Sequence, residues 1–302
     1  MELTWSLVTD SIVFNNKLTV SFHRTLRVPD DGRVYPLPPT FGKFQLHPAS
    51  SVSGTQTQQW RDEKALLLPM YQSEALWIAF ESTSQQAIQI EVGGINAVSG
   101  EPSEAPLSLD PQNYLVAPPQ LWLDGVNAGR NIVRQFTARP LGQGHTVGEA
   151  LSGSTADRES LVVRVFQPYH EVHSSTDDKN ESTLLKETES LGLSAEGTLQ
   201  QQIFPDPRGL NFWDQSSASE ARIYLVPVAL WTSTTGRKAP PRVIDAQAYS
   251  KAGLPWFSYY DESLGDVQAP DNLSDLPQAV GDEPSVKIDP SQIHDISKDK
   301  GK

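Results

Sequence analysis

Trp122, Asp124, Asn127 and Arg130 crowd one short stretch, YLVAPPQLWLDGVNAGRNIVRQF, over residues 114–136. An amphipathic aromatic beside a carboxylate, an amide and a guanidinium is what a ligand pocket uses to orient a small molecule. Arg134 and Gln135, on the segment that follows, extend the set. These six residues are the candidate ligand-binding group. The same residue types also build corners at strand ends. In that reading Pro118 and Pro119 force extension, Trp122 and Leu123 anchor a corner of the core, and Asp124 accepts backbone amides in an Asx-type turn. The corner is the preferred reading, with the pocket as its rival.

Other chemistry-bearing motifs are weaker. PLGQGHTVGEAL places Gly142 and Gly144 before a helix-like stretch, yet the spacing is not that of a dinucleotide fingerprint, and no P-loop Lys-Ser/Thr pair follows. A turn and a helix opened by a capping box, Thr146 with Glu149, account for these residues. His170, Glu171 and His173 lack the four-residue helical spacing of a zincin, and a metal needs three or more convergent ligands. No metal site and no cofactor are expected. No G-x-S-x-G nucleophile elbow occurs. Glu101, Asp124, Glu149 and Asp214 could supply paired carboxylates, but their spacing selects no pair. Catalytic residues stay unassigned.

Composition bounds the function classes. The 302 residues carry a formal net charge of −13, with 37% hydrophobic and 20% charged residues. An acidic chain is a poor partner for a phosphate backbone, so nucleic acid is not expected as a ligand. There is no cysteine, which removes disulfides, thiolate nucleophiles and thiolate metal sites. No apolar run approaches the ~20 residues that span a bilayer. The N-terminal stretch MELTWSLVTDSIVFNNKLTV lacks a basic segment and a continuous apolar core. A cytoplasmic protein without membrane contact is expected, and the Asn180 and Asn272 sequons then carry no meaning.

The elements that must position any site read mainly as strands. KLTVSFHRTLRV alternates, with Leu18, Val20 and Phe22 on one face. AIQIEV, NIVRQFTARPL, LVVRVFQ and ARIYLVPVALW predict further strands, the last one at an edge or bulge because of Pro227. In NIVRQFTARPL, Val133, Gln135 and Thr137 are expected to share a face. Residues 71–82, YQSEALWIAFES, suggest a short helix built on Glu74–Leu76. Asp245 is expected to cap a second helix that Gly253 ends. Residues 49–63 read as a mobile surface loop and 173–190 as a flexible insertion.

LPMYQSEALWIAF, VGGINAVSGEP, QNYLVAPPQLWLDG, VRQFTARPLGQGHTVGEALSG and AYSKAGLPWFSYYD together resemble a family of bacterial and fungal proteins without an assigned activity. The resemblance runs from about Leu18 to Asp261. Its members are labelled hypothetical protein or integral membrane protein, and the second label conflicts with a chain that has no spanning run. The resemblance implies one coherent unit and carries over no catalytic residue.

The expected fold is mainly β, with α+β as an alternative: mixed and antiparallel sheets, sandwich-like, with a few short helices. Residues 1–260 form a single unit, or two packed sub-domains at 1–172 and 191–260. Residues 258–302 hold 10 acids and 4 lysines and no aromatic beyond Tyr260, so 261–302 is expected to be an acidic, largely disordered tail. The leading function is a cytosolic binding or interaction protein for a protein or small-molecule ligand. The alternative is a metal-independent hydrolase or carbohydrate-active enzyme using carboxylates in a cleft near Trp122 and Asp124.

Overall fold

The computed structural model describes residues 5–52, 64–102, 105–152, 160–169, 191–276 and 285–299. The expectations for 53–63, 173–190 and His170–His173 fall outside the described residues. The N-terminal third supplies β1 (Trp5–Val8), β2 (Ser11–Phe14), β3 (Leu18–Thr25), β4 (Val34–Tyr35), β5 (Thr40–Lys43) and β6 (His47–Pro48). There follow β7 (Leu66–Met70), β8 (Ala75–Ser82), β9 (Gln86–Val92) and β10 (Ile95–Asn96). The middle of the chain gives β11 (Leu115–Ala117), β12 (Trp122–Leu123), β13 (Gly125–Gly129), β14 (Ile132–Pro140) and β15 (Ser160–Pro168). The last strands are β16 (Leu191–Gln200), β17 (Trp213–Pro227), β18 (Trp256–Ser258) and β19 (Ile293–Asp295). Among the described residues the α-helices are short: α1 (Val147–Ser152), α2 (Val228–Thr235), α3 (Ala246–Lys251) and α4 (Asp271–Ser274).

The fold is mainly β. A ten-stranded sheet runs β1-β2-β3-β8-β14-β16-β4, with β5, β12 and β13 joined at its sides. A seven-stranded sheet runs β10-β9-β15-β17-β7-β6, with β11 paired to β9. Pairing is mostly antiparallel, while β16–β4, β17–β7 and β18–β19 are parallel. Period-two alternation makes the interior. Leu18, Val20 and Phe22 of β3 meet Ile88, Ile90 and Val92 of β9, Leu161, Val163 and Val165 of β15, and Ile223 and Leu225 of β17 in one cluster. The two sheets therefore pack as a sandwich. β16 and β17, which follow residue 190, enter sheets otherwise built from earlier strands.

Hairpin tips use paired left-handed residues. Thr9–Asp10, Asn15–Asn16, Gly93–Gly94 and Arg130–Asn131 all have positive φ, the geometry that matches strand twist in two-residue hairpins. Helix ends follow sequence logic. Thr146 and Glu149 exchange hydrogen bonds at the start of α1, and Asp245 accepts from the Ala248 amide at 2.7 Å to cap α3.

Four expectations are corrected. Residues 75–82 form strand β8 rather than a helix. Leu76, Ile78 and Phe80 enter the core at period two, and β3 and β14 pair with it, so a three-residue helix-forming run is overruled. Pro227 marks neither an edge nor a bulge. β17 lies between β15 and β7, and the proline is its last residue, where the chain turns into α2. Val133, Gln135 and Thr137 do not share a face throughout. A register shift between Arg134 and Gln135 brings Phe136 and Ala138 into the core with Val133.

The fourth correction concerns the acidic end. The described parts of 261–302 pack against the sandwich, with Val267, Leu273, Leu276 and Val286 in the main core. β19 pairs with β18, and the Asn272 amide donates to Gly100 O at 2.8 Å. The acids are part of this packing: Asp266 accepts from the amides of Asn131 (2.7 Å) and Ile203 (3.0 Å). Mean composition hides four well-placed apolar side chains, and these supply the burial that offsets ordering entropy.

Candidate functional site

The opening stretch is a belt of buried polar structure. Gln135 is fully buried, and its amide bridges Val28 N (3.0 Å) and Leu26 O (2.8 Å). Asn127 bonds Val98 O and Gly129 N. Arg134 pairs with Asp30 at 3.5 Å and donates to Leu276 O. Burial holds its guanidinium below the ordinary arginine range, against the pull of Asp30 and Glu196. Arg130 sits exposed at a hairpin tip. Pro118 and Pro119 form a turn, with the Gln120 amide donating to Val116 O at 2.9 Å, instead of an extended run. Gln120, Gln201 and Gln202 add to the β12–β8 pairing around Trp122, their side-chain amides donating to Trp122 O, Gln202 O and Asp261 O.

Among the described residues, the space beside Trp122 is small. The space next to Trp122 is a cavity of about 10 Å³ lined by glutamines, Leu37, Phe204 and Tyr259, room for one water and no more. Trp122 is partly buried, edge-on to Tyr259 at 5.2 Å. Asp124 is 3% exposed and forms no Asx turn; its own amide donates to Gln201, and its carboxylate Oδ2 has no hydrogen-bond partner. Burial pushes its pKa from 3.8 up to about 7, with only a hydrogen bond from Trp122 opposing the shift. Among the described residues, a carboxyl so enclosed is out of reach of a substrate. Five of the six residues are buried or partly buried in the fold, Arg130 is exposed at a hairpin tip, and the structure does not bring the six to a common surface.

The open site lies elsewhere, where the ends of β3 and β8 face the segment leading into α3. A cleft of about 640 Å³ is lined by Thr25, Arg27 and Pro29 on one side, Tyr71–Ala75 below, and Arg242–Ala248 with Val286 opposite. The tight turn 71–74 builds its floor. The Glu74 amide donates to Tyr71 O, and the Tyr71 amide donates back to Glu74 Oε2 at 2.9 Å. The other carboxylate oxygen takes Nε of Arg24 at 2.8 Å and Nη2 of the same side chain. Burial pushes Glu74 above the usual carboxylate range, against the Tyr71 amide and Arg24.

Behind Arg27, Glu196 receives two guanidinium groups. Arg27 lies at 2.8 Å from Oε2, while Arg139 spans both oxygens and also donates to Ser73 Oγ at 3.1 Å. Burial raises the Glu196 carboxyl, but Arg139, Arg27 and the Ser194 hydroxyl together hold it below the ordinary range. At the rim, Arg242 lies 4.9 Å over the Tyr71 ring, whose hydroxyl donates to Pro240 O. The exposed Ile244 and the partly buried Val243 give the opposite wall an apolar surface.

Chemically, this is a receptacle with guanidinium walls and engaged carboxylates. Glu74 and Glu196 are held by arginines and Asp245 caps α3, so none of them is a free general acid or base. Among the described residues no group of three or more acids or histidines could hold a metal. The GQG turn is likewise occupied from within, because Glu149 accepts from the amides of Gly142 and Thr146. No described helix is long and apolar enough to cross a membrane.

Sequence reading missed this cleft because its members are scattered across Arg24–Pro29, Tyr71–Ala75, Arg139, Glu196 and Arg242–Ala248. A local signal is Glu74 three residues after Tyr71, whose residue type by itself favours a helix. Against known proteins, the chain matches no family model, no curated protein and no solved structure.

Proposed function

We propose that the chain is a cytosolic binding protein whose ligand is a small organic molecule seated in the cleft between Arg27, Tyr71 and Arg242–Ala248. The observation that carries this reading is the cleft itself. Its volume, about 640 Å³, is within the range of small-molecule sites, and its lining mixes apolar side chains with polar and charged ones. Binding is favoured over hydrolysis because the nearby carboxylates are engaged by arginines, a backbone amide or a helix cap, leaving the walls to recognise rather than to transfer protons.

Ligand-observed NMR with a fragment panel tests the proposal, using wild type and Ala248→Trp. Ala248 is exposed on the cleft wall, so a larger side chain there narrows the cleft without entering the core. Fragments are expected to bind wild type and to lose binding in the variant. A panel that never binds, or that binds both proteins alike, removes the cleft from consideration.

A further inference from the structure

We infer that the cleft selects a neutral sugar, held through the side-chain amides of Gln72 on its floor and Gln247 on its wall. This inference rests on the cleft being the binding site and names the class of ligand that the site takes.

Charge is the first argument. The lining carries two guanidinium groups, Arg27 and Arg242, and two carboxylates, Glu74 and Asp245. All four are engaged within the protein. Arg27 pairs with Glu196 at 2.8 Å, while Arg242 lies over the Tyr71 ring and is attracted by Glu74. Glu74 takes Arg24 and the Tyr71 amide, and Asp245 takes the Ala248 amide. A charged ligand would meet a like charge on this lining as readily as an opposite one. Breaking a pair such as Arg24 with Glu74 would also leave a buried charge without its partner. A neutral ligand incurs neither cost.

Hydrogen-bonding capacity is the second. Gln72 and Gln247 are exposed on the lining, and among the described residues neither side-chain amide forms a hydrogen bond. Each amide offers two N–H donors and an acceptor oxygen. Ser73 Oγ, next to Gln72, accepts from Arg139 at 3.1 Å and keeps its own proton to donate. A hydroxyl group likewise donates and accepts, so a ring bearing several hydroxyls matches these groups. A purely hydrocarbon ligand would take the same amides out of water unpaired. The lining also holds Pro29, Val243 and Ile244, an apolar surface for the C–H faces of a sugar ring.

The test is a saturation-transfer NMR titration of maltose, lactose, N,N′-diacetylchitobiose, gluconate and N-acetylalanine N-methylamide. The proteins are wild type, the double variant Gln72→Ala/Gln247→Ala, and Ala248→Trp. Both glutamines are exposed, so their replacement leaves the core intact. At least one of the disaccharides is expected to bind wild type and to be weakened about tenfold or more in the double variant, the effect of two lost hydrogen bonds. Raised salt should leave that binding unchanged, because no ion pair forms. Failure of every disaccharide to bind, affinity unchanged in the double variant, or weakening by salt would overturn the inference. So would gluconate or the capped amide binding more tightly than every disaccharide. If the fragments of the earlier panel still bind in the cleft and are lost in Ala248→Trp, only the sugar inference has failed. If nothing in either panel responds to Ala248→Trp, the binding reading fails with it.

Discussion

Replacing Asp124 by asparagine should stabilise the protein, and the gain should depend on pH in a specified direction. Burial raises the Asp124 pKa from 3.8 to about 7, and Oδ2 has no hydrogen-bond partner to favour the ionised form. Between those two values the folded state keeps a proton that the unfolded chain releases, so this residue's contribution to stability falls as pH rises. It is fully present below about pH 4 and is lost by about pH 7. A shift of roughly three units corresponds to about 4 kcal/mol, an upper figure because local opening and water entry relieve part of it. Asparagine keeps the shape and cannot ionise. Urea unfolding of both proteins at intervals from pH 4 to pH 8 isolates the effect, since Glu74, Asp266 and His23 titrate alike in both. The two proteins should differ little at pH 4, and the variant should lead by about 2–4 kcal/mol at pH 8. A difference that stays constant to within about 0.5 kcal/mol across the range would refute the claim that Asp124 is a desolvated carboxyl for which the Trp122 hydrogen bond does not compensate.

Three further outcomes are expected. Removal of residues 271–302 takes Leu273, Leu276 and Val286 out of the core, so thermal unfolding should move down by many degrees, or soluble protein should be lost; an unchanged midpoint would mean these contacts contribute nothing. Glu74→Gln leaves the Arg24 guanidinium buried without its counter-charge and should cost about 3–5 kcal/mol in urea unfolding, with the Arg24→Met/Glu74→Met double variant recovering part of it. Trp122→Ala should cost about 2–3 kcal/mol, below the figure for a fully buried indole because the ring is partly exposed, and fragment binding in the cleft should be unaffected. Loss of fragment binding there with the fold intact would return attention to the Trp122 segment.

The sequence by itself determined the local order. Alternation in Leu18–Val20–Phe22 and in Ile88–Ile90–Val92 is a property of neighbouring residues, and so are the Asp245 cap and the Thr146–Glu149 box, because their partners lie within four residues. Such signals survive without knowledge of the fold. What the chain encodes over long separations was not legible. β8 reads as helix or strand until β3 and β14 are known to flank it, and the bulge at Arg134–Gln135 becomes visible only against β16. The buried role of the Trp122 segment depends on Gln201 and Gln202, and the packing of Leu273 and Val286 depends on holes formed by the sandwich. The cleft is the extreme case. Arg27, Glu74, Arg139, Glu196 and Arg242 carry no spacing rule that relates them, since two strands of the ten-stranded sheet and three connecting segments bring them together. Desolvation and charge pairing depend on distance in space, and only the tertiary structure sets that distance.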